Sequence, residues 1–220
     1  TSSEGGGIAF FGSNPIINNS NISNNSSDGL GGGIFANVGC NLELNDCTIS
    51  NNISSINGGG CYISNLSEIY INKSLIENNS AGLNGAGIYA SQTVNLDIRN
   101  STISNNIADL EGGGLYSSIH NTIKFTDSFI DNNSSLDAED ILAEIDTTLQ
   151  FKNTNTIGDL KLYFAGTKLE LLPNANLTIS GSLTPPANGA LAFDINNLNP
   201  PTALTITGEL IRQGSLVITN

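Results

Sequence analysis

The sequence predicts an all-β protein, a three-sided parallel β-helix, and two repeating landmarks support this fold class. A glycine-rich tripeptide followed by a hydrophobic residue begins at Gly5, Gly31, Gly58, Gly85 and Gly112. An Ile-x-Asn-Asn quartet begins at Ile22, Ile49, Ile76, Ile103 and Ile130. Both landmarks recur about every 27 residues, and repeats of this length cannot bury an apolar face alone, so they stack on their neighbours as a solenoid.

The short period inside each repeat indicates strands. Apolar and polar residues alternate at 42–44, 69–71, 96–98 and 123–125, which is typical of a strand with one buried face. A second short strand follows each glycine group, and a third precedes each asparagine pair. Turns of Gly, Asn and Ser separate them. Three strands per repeat predict one coil of the β-helix, and successive coils then pair strand on strand about 4.8 Å apart.

The repeat length also predicts which residues stack in the core. The predicted inward stacks are Ile34/Cys61/Ile88/Leu115/Leu142, Leu42/Ile69/Leu96/Ile123, Leu44/Ile71/Ile98/Phe125 and Ile49/Ile76/Ile103/Ile130, with small residues at Cys47/Ser74/Ser101/Ser128. The paired asparagines stand where the chain must turn, since Asn tolerates the left-handed conformation and stacked Asn side chains can hydrogen-bond along a ladder. Glycine serves the other bend, where a Cβ would collide.

The second half of the chain keeps the strand pattern with less regularity. Regular Gly/Asn coils cover 1–146, and in 147–220 alternating strands continue between loops marked by Pro173, 185–186 and 200–201. Leu177 and Leu204 are again separated by the length of one regular repeat. We therefore predict one β-helix domain over 1–220 with about eight coils. The alternative is a separate β-sandwich beginning near Asp159.

Composition limits the classes of partner. The chain has 24 Gly, no Trp or Met and 12% charged residues, yet its 38% hydrophobic residues fall regularly, which excludes disorder. A formal net charge of −13 with seven Lys and Arg disfavours nucleic acid and anionic membranes as partners. No apolar run approaches the roughly 18 residues of a membrane span. The chain begins in the middle of a repeat, so we expect a piece of a longer polypeptide.

The repeats resemble those of a known family. Ile-x-x-Asn followed by Gly-Gly-Gly and an aliphatic residue, best seen at 100–106 and 112–116, resembles the paired tetrapeptides of the polymorphic outer-membrane proteins of chlamydiae. The resemblance extends over about 5–142 and also holds for repeats of other secreted or surface-anchored bacterial β-helix proteins. It departs from the chlamydial form in having Ile where Phe is usual and a third Gly where Ala is usual.

The resemblance implies a right-handed β-helix that serves as an autotransporter passenger. Such a passenger is extracellular, is displayed on the bacterial outer membrane and works as an adhesin. The implied partner is a protein or glycan on a host cell or a neighbouring cell. We expect no enzymatic activity and no cofactor, because such repeats encode a scaffold.

One column of residues is the candidate binding surface. Phe35, Tyr62, Tyr89 and Tyr116 alternate with the inward column that begins at Ile34, so we predict an aromatic stripe that points outward. Aromatic stripes can offer flat apolar faces to sugars or to partner side chains. The alternative is that the stacked rings only stabilise the parallel ladder.

The competing function is a polysaccharide-active β-helix enzyme. It needs paired carboxylates, or a basic residue beside calcium-binding acids. The candidates that share neighbouring columns are Arg99, Lys73, Asp46, Asn100 and Asp127. They lie inside the regular repeat without long loops, so a surface salt-bridge ladder is favoured. His120 is interpreted as a turn residue, and Asp194 has no evident partner.

An acidic run and three cysteines complete the candidates. The acids Asp137, Glu139, Asp140, Glu144 and Asp146 carry oxygen ligands suited to calcium. Their spacing matches no calcium loop, so a solvated loop is favoured and no metal site is predicted. Cys47 and Cys61 occupy inward columns and are expected to be buried thiols, while an oxidising exterior would permit a bridge from Cys40 to Cys47.

Overall fold

The computed structural model describes 2–164, 166–186, 190–194, 203–211 and 215–219. In these ranges the chain forms strands and turns without a helix. None of the described segments is therefore a helix of the length and apolarity needed to cross a membrane.

Four strands make up each of the first five coils. They are β1 (Ser2–Glu4), β2 (Ile8–Phe11), β3 (Ile16–Asn18), β4 (Asn21–Ser23), β5 (Ser26–Leu30), β6 (Ile34–Asn37), β7 (Asn41–Asn45), β8 (Thr48–Ser50), β9 (Ile53–Ser54), β10 (Cys61–Ile63), β11 (Glu68–Asn72), β12 (Leu75–Glu77), β13 (Ser80–Ala81), β14 (Ile88–Gln92), β15 (Asn95–Arg99), β16 (Thr102–Ser104), β17 (Ile107–Ala108), β18 (Leu115–Ile119), β19 (Thr122–Thr126) and β20 (Phe129–Asp131). The strands of the later coils are β21 (Ile141–Ala143), β22 (Thr148–Lys152), β23 (Thr154–Ile157), β24 (Leu160–Leu162), β25 (Lys168–Leu171), β26 (Asn176–Ile179), β27 (Leu183–Thr184), β28 (Ala190–Asp194), β29 (Ala203–Ile206) and β30 (Ser215–Thr219).

Corresponding strands of successive coils pair in parallel, as predicted. Sheet 2 has the order β2-β6-β10-β14-β18-β21-β24-β27, sheet 3 runs from β3 to β25 and sheet 4 from β4 to β29. These three long sheets form the sides of a solenoid of about seven turns, and β28 pairs with β30 in a separate two-stranded sheet. The parallel β-helix is therefore confirmed, with slightly fewer coils than the eight predicted.

A fourth, shorter sheet is absent from the prediction. Sheet 1, with the order β1-β5-β9-β13-β17, joins the Asn corner to the Gly corner in the first five coils. Its later members are only two residues long, as in Ile53–Ser54, too short for an alternating pattern to reveal. They pair because the coils on either side hold them one strand spacing apart.

The core fills the inside of the solenoid with the predicted columns. The pairs Cys61↔Ile88, Ile69↔Leu96 and Ile76↔Ile103 place like residues above each other, and all of these side chains are buried. The predicted position of Leu142 in the inward stack is wrong, because Leu115 pairs with Ile141 and Leu142 continues the column of Tyr116. The coil from Leu115 to Ile141 is one residue shorter than the regular repeat, which shifts the register by one residue.

Side-chain ladders hold the corners. The second Asn of each pair donates from Nδ2 to the Oδ1 atom of its counterpart on the next coil, in the order Asn25, Asn52, Asn79, Asn106 and Asn133. The last four of these side chains are buried. The first Asn of each pair has a positive φ, for example 54° at Asn51. The small column forms a second ladder, in which the Ser74 backbone N–H donates to the Ser101 hydroxyl over 3.0 Å. The predicted Asn ladder is confirmed.

The later coils continue the same sheets with variable length. Ile141 pairs with Leu160, and Leu160 pairs with Leu183, so both of these coils are shorter than the regular ones. Leu177 pairs with Leu204 in parallel, as their spacing predicted. A separate sandwich beginning near Asp159 is therefore wrong, because β24 extends the sheet of β21 directly. The loop at 200–201 lies outside the described residues.

Candidate functional site

The four aromatic residues of the candidate stripe form one continuous stack. Phe35, Tyr62, Tyr89 and Tyr116 are paired in register on successive coils. Their ring centroids are 5.3, 5.2 and 5.0 Å apart, and neighbouring rings are within 10° of parallel. The strand spacing sets this geometry, because identical positions on adjacent coils lie one hydrogen-bonded step apart. Both flat faces of each internal ring are therefore covered by the neighbouring rings.

The stack is less exposed than the sequence predicts. Phe35 is 1% and Tyr116 is 6% exposed, so these two side chains are covered although they lie outside the core cluster inside the solenoid. Tyr62 and Tyr89 are half-buried. A Cβ built on Gly31 would lie 3.0 Å from the Phe35 Cβ, and one on Gly112 would lie 3.0 Å from the Tyr116 Cβ. The glycine bend thus approaches the base of each aromatic side chain, and only ring edges and hydroxyl groups remain for a partner.

Acidic groups surround the last two tyrosines of the stack. Burial raises the pKa of Tyr89 to about 12, with smaller contributions from Tyr62, Glu144 and Glu111. Burial also raises the pKa of Tyr116, which in addition donates a hydrogen bond to the Glu144 carboxylate. The pKa of Glu111 is raised by burial first, then by the negative charges of Glu144 and Asp137. The end of the stack is therefore a crowded, electronegative surface.

Glu111 and Asp137 occupy one position on adjacent coils. Asn84 pairs with Glu111, and Glu111 pairs with Asp137, in parallel bridges. Asp137 forms an ion pair with Lys161, whose Nζ atom lies 4.9 Å from the centroid of the Tyr163 ring. Sequence reasoning missed Glu111, although the regular repeat spacing already places it in the column of Asn57 and Asn84 and could have revealed it.

The acidic run does not converge on one point. Asp137 pairs with Lys161, Glu144 accepts from Tyr116, and Asp146 lies 3.5 Å from the His120 Nδ1 atom. Among the described residues, no group of three or more His, Cys, Asp or Glu side chains is arranged to hold a metal ion.

Asp140 has a structural position of its own. It is 2% exposed and ends the Asn ladder: its Oδ1 atom accepts from the Asn133 backbone N–H and from Asn133 Nδ2. Its Oδ2 atom accepts from the Asp159 backbone N–H over 2.8 Å. Burial raises the pKa of Asp140 to about 6 against the hydrogen bonds that favour the charged form. The carboxylate thus replaces the next Asn where the coils change type.

The residues considered for a lyase site lie at a corner and on the neighbouring strand. Asp46, Lys73, Asn100 and Asp127 form a column of turn residues with φ between 48° and 53°. Arg99 instead makes a two-point contact with Asp97, with N–O distances of 2.9 and 2.6 Å. His120 is an exposed turn residue with a φ of 54°, as predicted. The side chain of Asp194 lies outside what the structure describes.

The three cysteines are free and buried. Cys61 is in the apolar core, and its burial raises the thiol pKa to about 12. The Cys40 thiol donates to the Asn37 carbonyl oxygen at 3.0 Å, and the Cys47 thiol to the Ile17 carbonyl oxygen at 3.3 Å. The bridge between Cys40 and Cys47 that the sequence left open is not formed.

Two family models match the chain. Residues 1–103 match the model of the right-handed beta helix region, and 100–118 match the Chlamydia polymorphic membrane protein repeat. A search of curated proteins and a search of solved structures gave no match. The second match falls on the run of Ile-x-Asn-Asn and Gly-Gly-Gly that forms the corners of the fourth and fifth coils. The chain is thus a right-handed parallel β-helix whose repeats are similar to those of chlamydial polymorphic membrane proteins.

Proposed function

We propose that the chain is part of an extracellular, surface-displayed passenger that mediates attachment and carries out no chemistry. The observation that carries the proposal is the repeat similar to that of the Chlamydia polymorphic membrane protein, set in an uninterrupted stack of coils. The similarity suggests a surface protein of the autotransporter type. The partner would be a protein or a glycan on a host cell or a neighbouring cell.

The architecture suits a rigid spacer. Each coil adds about 4.8 Å to the length of the solenoid, and each is tied to the next by backbone hydrogen bonds and by the corner ladders. In such a structure, stability is approximately a sum of coil and interface contributions, so length can be added without changing the fold. A recognition surface on one side is then held at a fixed distance and orientation.

The tyrosine edge is the proposed attachment surface. Tyr62 and Tyr89 are the half-buried members of the stack, and their ring faces are already in contact with neighbouring rings. Recognition would therefore depend on the phenol hydroxyl groups, which both donate and accept hydrogen bonds. Phe35 and Tyr116 would support the stack without contacting the partner.

Cell attachment of coated beads tests this proposal. Beads carrying the purified chain should adhere to cultured epithelial cells more than beads carrying albumin. The double variant Tyr62→Phe/Tyr89→Phe keeps the stacked rings and removes the hydroxyl groups, so it should reduce adhesion severalfold at unchanged thermal stability. Adhesion of the wild-type chain equal to the albumin control would contradict the attachment role. Full adhesion by the double variant would contradict the tyrosine edge as the attachment surface.

A polysaccharide-active enzyme is the second candidate, favoured by the position of Glu111 and Asp137. Two carboxylates one coil apart, one of them with a raised pKa, resemble in outline the acid and nucleophile of a retaining glycosidase. The release of reducing ends from acidic and neutral polysaccharides tests it. Activity that disappears in Glu111→Gln would establish the enzyme and remove the non-catalytic proposal.

A further inference from the structure

An aliphatic column is exposed next to the column of Glu111. We name Ile56, Leu83, Leu110 and Leu136 the aliphatic ridge; each exposes between 39% and 82% of its surface. The Leu83 N–H donates to the Ile56 carbonyl oxygen over 2.8 Å, and the Leu110 N–H to that of Leu83 over 2.9 Å. Leu136 directly precedes Asp137, whose N–H donates to the Leu110 carbonyl oxygen over 2.9 Å. The ridge therefore occupies neighbouring positions on four successive coils.

Two further aliphatic side chains are exposed on the strands that precede the ridge. Ile53 and Ile107, on sheet 1, are 53% and 56% exposed. Each pairs with Ser80 of the strand between them. Isolated exposed aliphatic residues are normal on soluble proteins, whereas a contiguous apolar patch marks an interaction surface. An exposed aliphatic side chain recurs on each successive coil of the ridge, which distinguishes the ridge from single exposed residues.

Acidic residues flank the ridge on both sides at Leu110. Asp109 directly precedes Leu110 and is exposed, and Glu111 directly follows it. Burial, and then the charges of Glu144 and Asp137, raise the pKa of Glu111, while Lys161 acts in the opposite direction. Lys161 pairs with Asp137, at one end of the ridge.

The basic residues of the regular coils lie away from the ridge. Before residue 140 the Lys and Arg residues are Lys73, Arg99 and Lys124. Arg99 and Lys124 belong to sheet 3, where both contact Asp97, and Lys73 stands at the corner that follows sheet 3. Around Leu110 the ridge thus has two acidic neighbours, Asp109 and Glu111, and no Lys or Arg of the regular coils beside it.

We propose that the aliphatic ridge docks an amphipathic helical segment of a partner protein, whose aliphatic face is flanked by Lys or Arg. The three steps from Ile56 to Leu136 span about 14 Å, which about ten residues of helix would cover. Charge complementarity selects this occupant. The ridge of a second copy would instead offer the acids beside Leu110 only Lys161, which is already paired with Asp137. The surface is distinct from the tyrosine edge, and the inference holds whether or not the chain is displayed on cells.

Binding of designed peptides to the purified chain tests the proposal. A fluorescent helical peptide with Leu on one face and Lys beside it should bind, measured by anisotropy, and the matched Leu/Glu peptide should not. The variant Leu83→Ser/Leu110→Ser should weaken binding about tenfold or more, because two aliphatic contacts are lost. The variant Asp109→Asn/Glu111→Gln should weaken it severalfold and reduce its salt dependence.

The control is Leu66→Ser, which removes an aliphatic side chain that is 70% exposed at another corner and should leave the affinity unchanged. Circular dichroism and the melting temperature verify that each variant is folded. Equal binding by the Leu83→Ser/Leu110→Ser variant, or equal binding of the Leu/Glu peptide, overturns the proposal. So does sedimentation that shows wild-type dimers lost in that variant, since the ridge would then be an interface between two copies.

Discussion

The coils before Asp140 and those after it share three sheets and one core but differ at their corners. Before Asp140 the coils keep a nearly constant length, and buried Asn and Ser side chains link each corner to the next. After Asp140 the steps from Ile141 to Leu160 and from Leu160 to Leu183 are shorter and unequal. The core does not require a fixed coil length, because its apolar side chains need only the strand register. The constant repeat coincides with the corner ladders.

The largest expected effect comes from breaking the Asn ladder within the regular coils. Asn106 is fully buried, donates to the Asn133 Oδ1 atom and accepts from both nitrogens of Asn79. Asn106→Ala leaves these buried groups unpaired, and we expect a loss of about 3–4 kcal/mol in the free energy of unfolding, measured with urea.

Two matched variants sharpen this comparison. Asn155 belongs to the later coils, and its side chain bonds to Lys152 and Ser128, so Asn155→Ala should cost about 1–2 kcal/mol. Asn105→Gly, at the neighbour with a φ of 56°, should change stability by less than about 0.5 kcal/mol. Equal losses for Asn106→Ala and Asn155→Ala would remove the proposed difference between the two regions.

The glycine bend of the regular coils gives the next effect. A Cβ on Gly32 would lie 2.5 Å from the carbonyl oxygens of Gly59 and Ile53, both backbone atoms. Gly32→Ala should therefore destabilise the chain by about 2–3 kcal/mol in thermal unfolding, because the coils must separate locally. Gly39→Ala, where φ is 69° but the space is open, should cost only about 1 kcal/mol. The reverse order would show that coil contact at this bend is loose.

The boundary itself should be sensitive to pH. The pKa of Asp140 is about 6 in the folded chain and 3.8 ordinarily, so the folded state retains a proton that the unfolded state releases. Stability from this group is therefore greatest below about pH 4 and falls by about 2–3 kcal/mol as the pH rises through about 6. The difference in unfolding free energy between wild type and Asp140→Asn should change across this window. A constant difference would contradict the raised pKa.

The smallest effect concerns the contact between the two regions. The Phe125 and Phe151 rings stack with centroids 5.1 Å apart across the last regular coil and the first shorter one. Phe151→Leu keeps an apolar side chain and loses the ring contact, so a cost of about 1 kcal/mol is expected in urea unfolding. Tyr89→Phe keeps its stack and serves as the control. A loss above that of Gly32→Ala would show that this contact, rather than the corners, limits stability.

Much of the fold was predictable from particular residues. The repeat spacing from Ile49 to Ile76 predicted the parallel pairing, and the recurring second Asn of each pair predicted the ladder. Sheet 1 was not predictable, because strands as short as Ile53–Ser54 carry no alternation. The position of Leu142 was predicted wrongly, since a coil one residue shorter than the repeat moves Ile141 into the inward position. No residue pattern within this coil indicates its length.

The candidate site was predicted in part. The column of Phe35, Tyr62, Tyr89 and Tyr116 forms as expected, and its role in binding stays a prediction. Its exposure was misjudged, because alternation says which way a side chain leaves the strand and not what covers it. Asp109, Glu111 and the aliphatic ridge were accessible from the repeat spacing, but their meaning depends on the contacts around them.

The sequence by itself determined the strand faces, the repeat and the residues that share a column. These follow from two periods in the sequence, the two-residue alternation of a strand and the much longer repeat of a coil. Only the tertiary structure decided the length of the later coils, the burial of Asp140 and the covering of the ring faces. Those depend on distances between coils, where hydrogen bonds, steric contact and desolvation act on residues far apart in sequence.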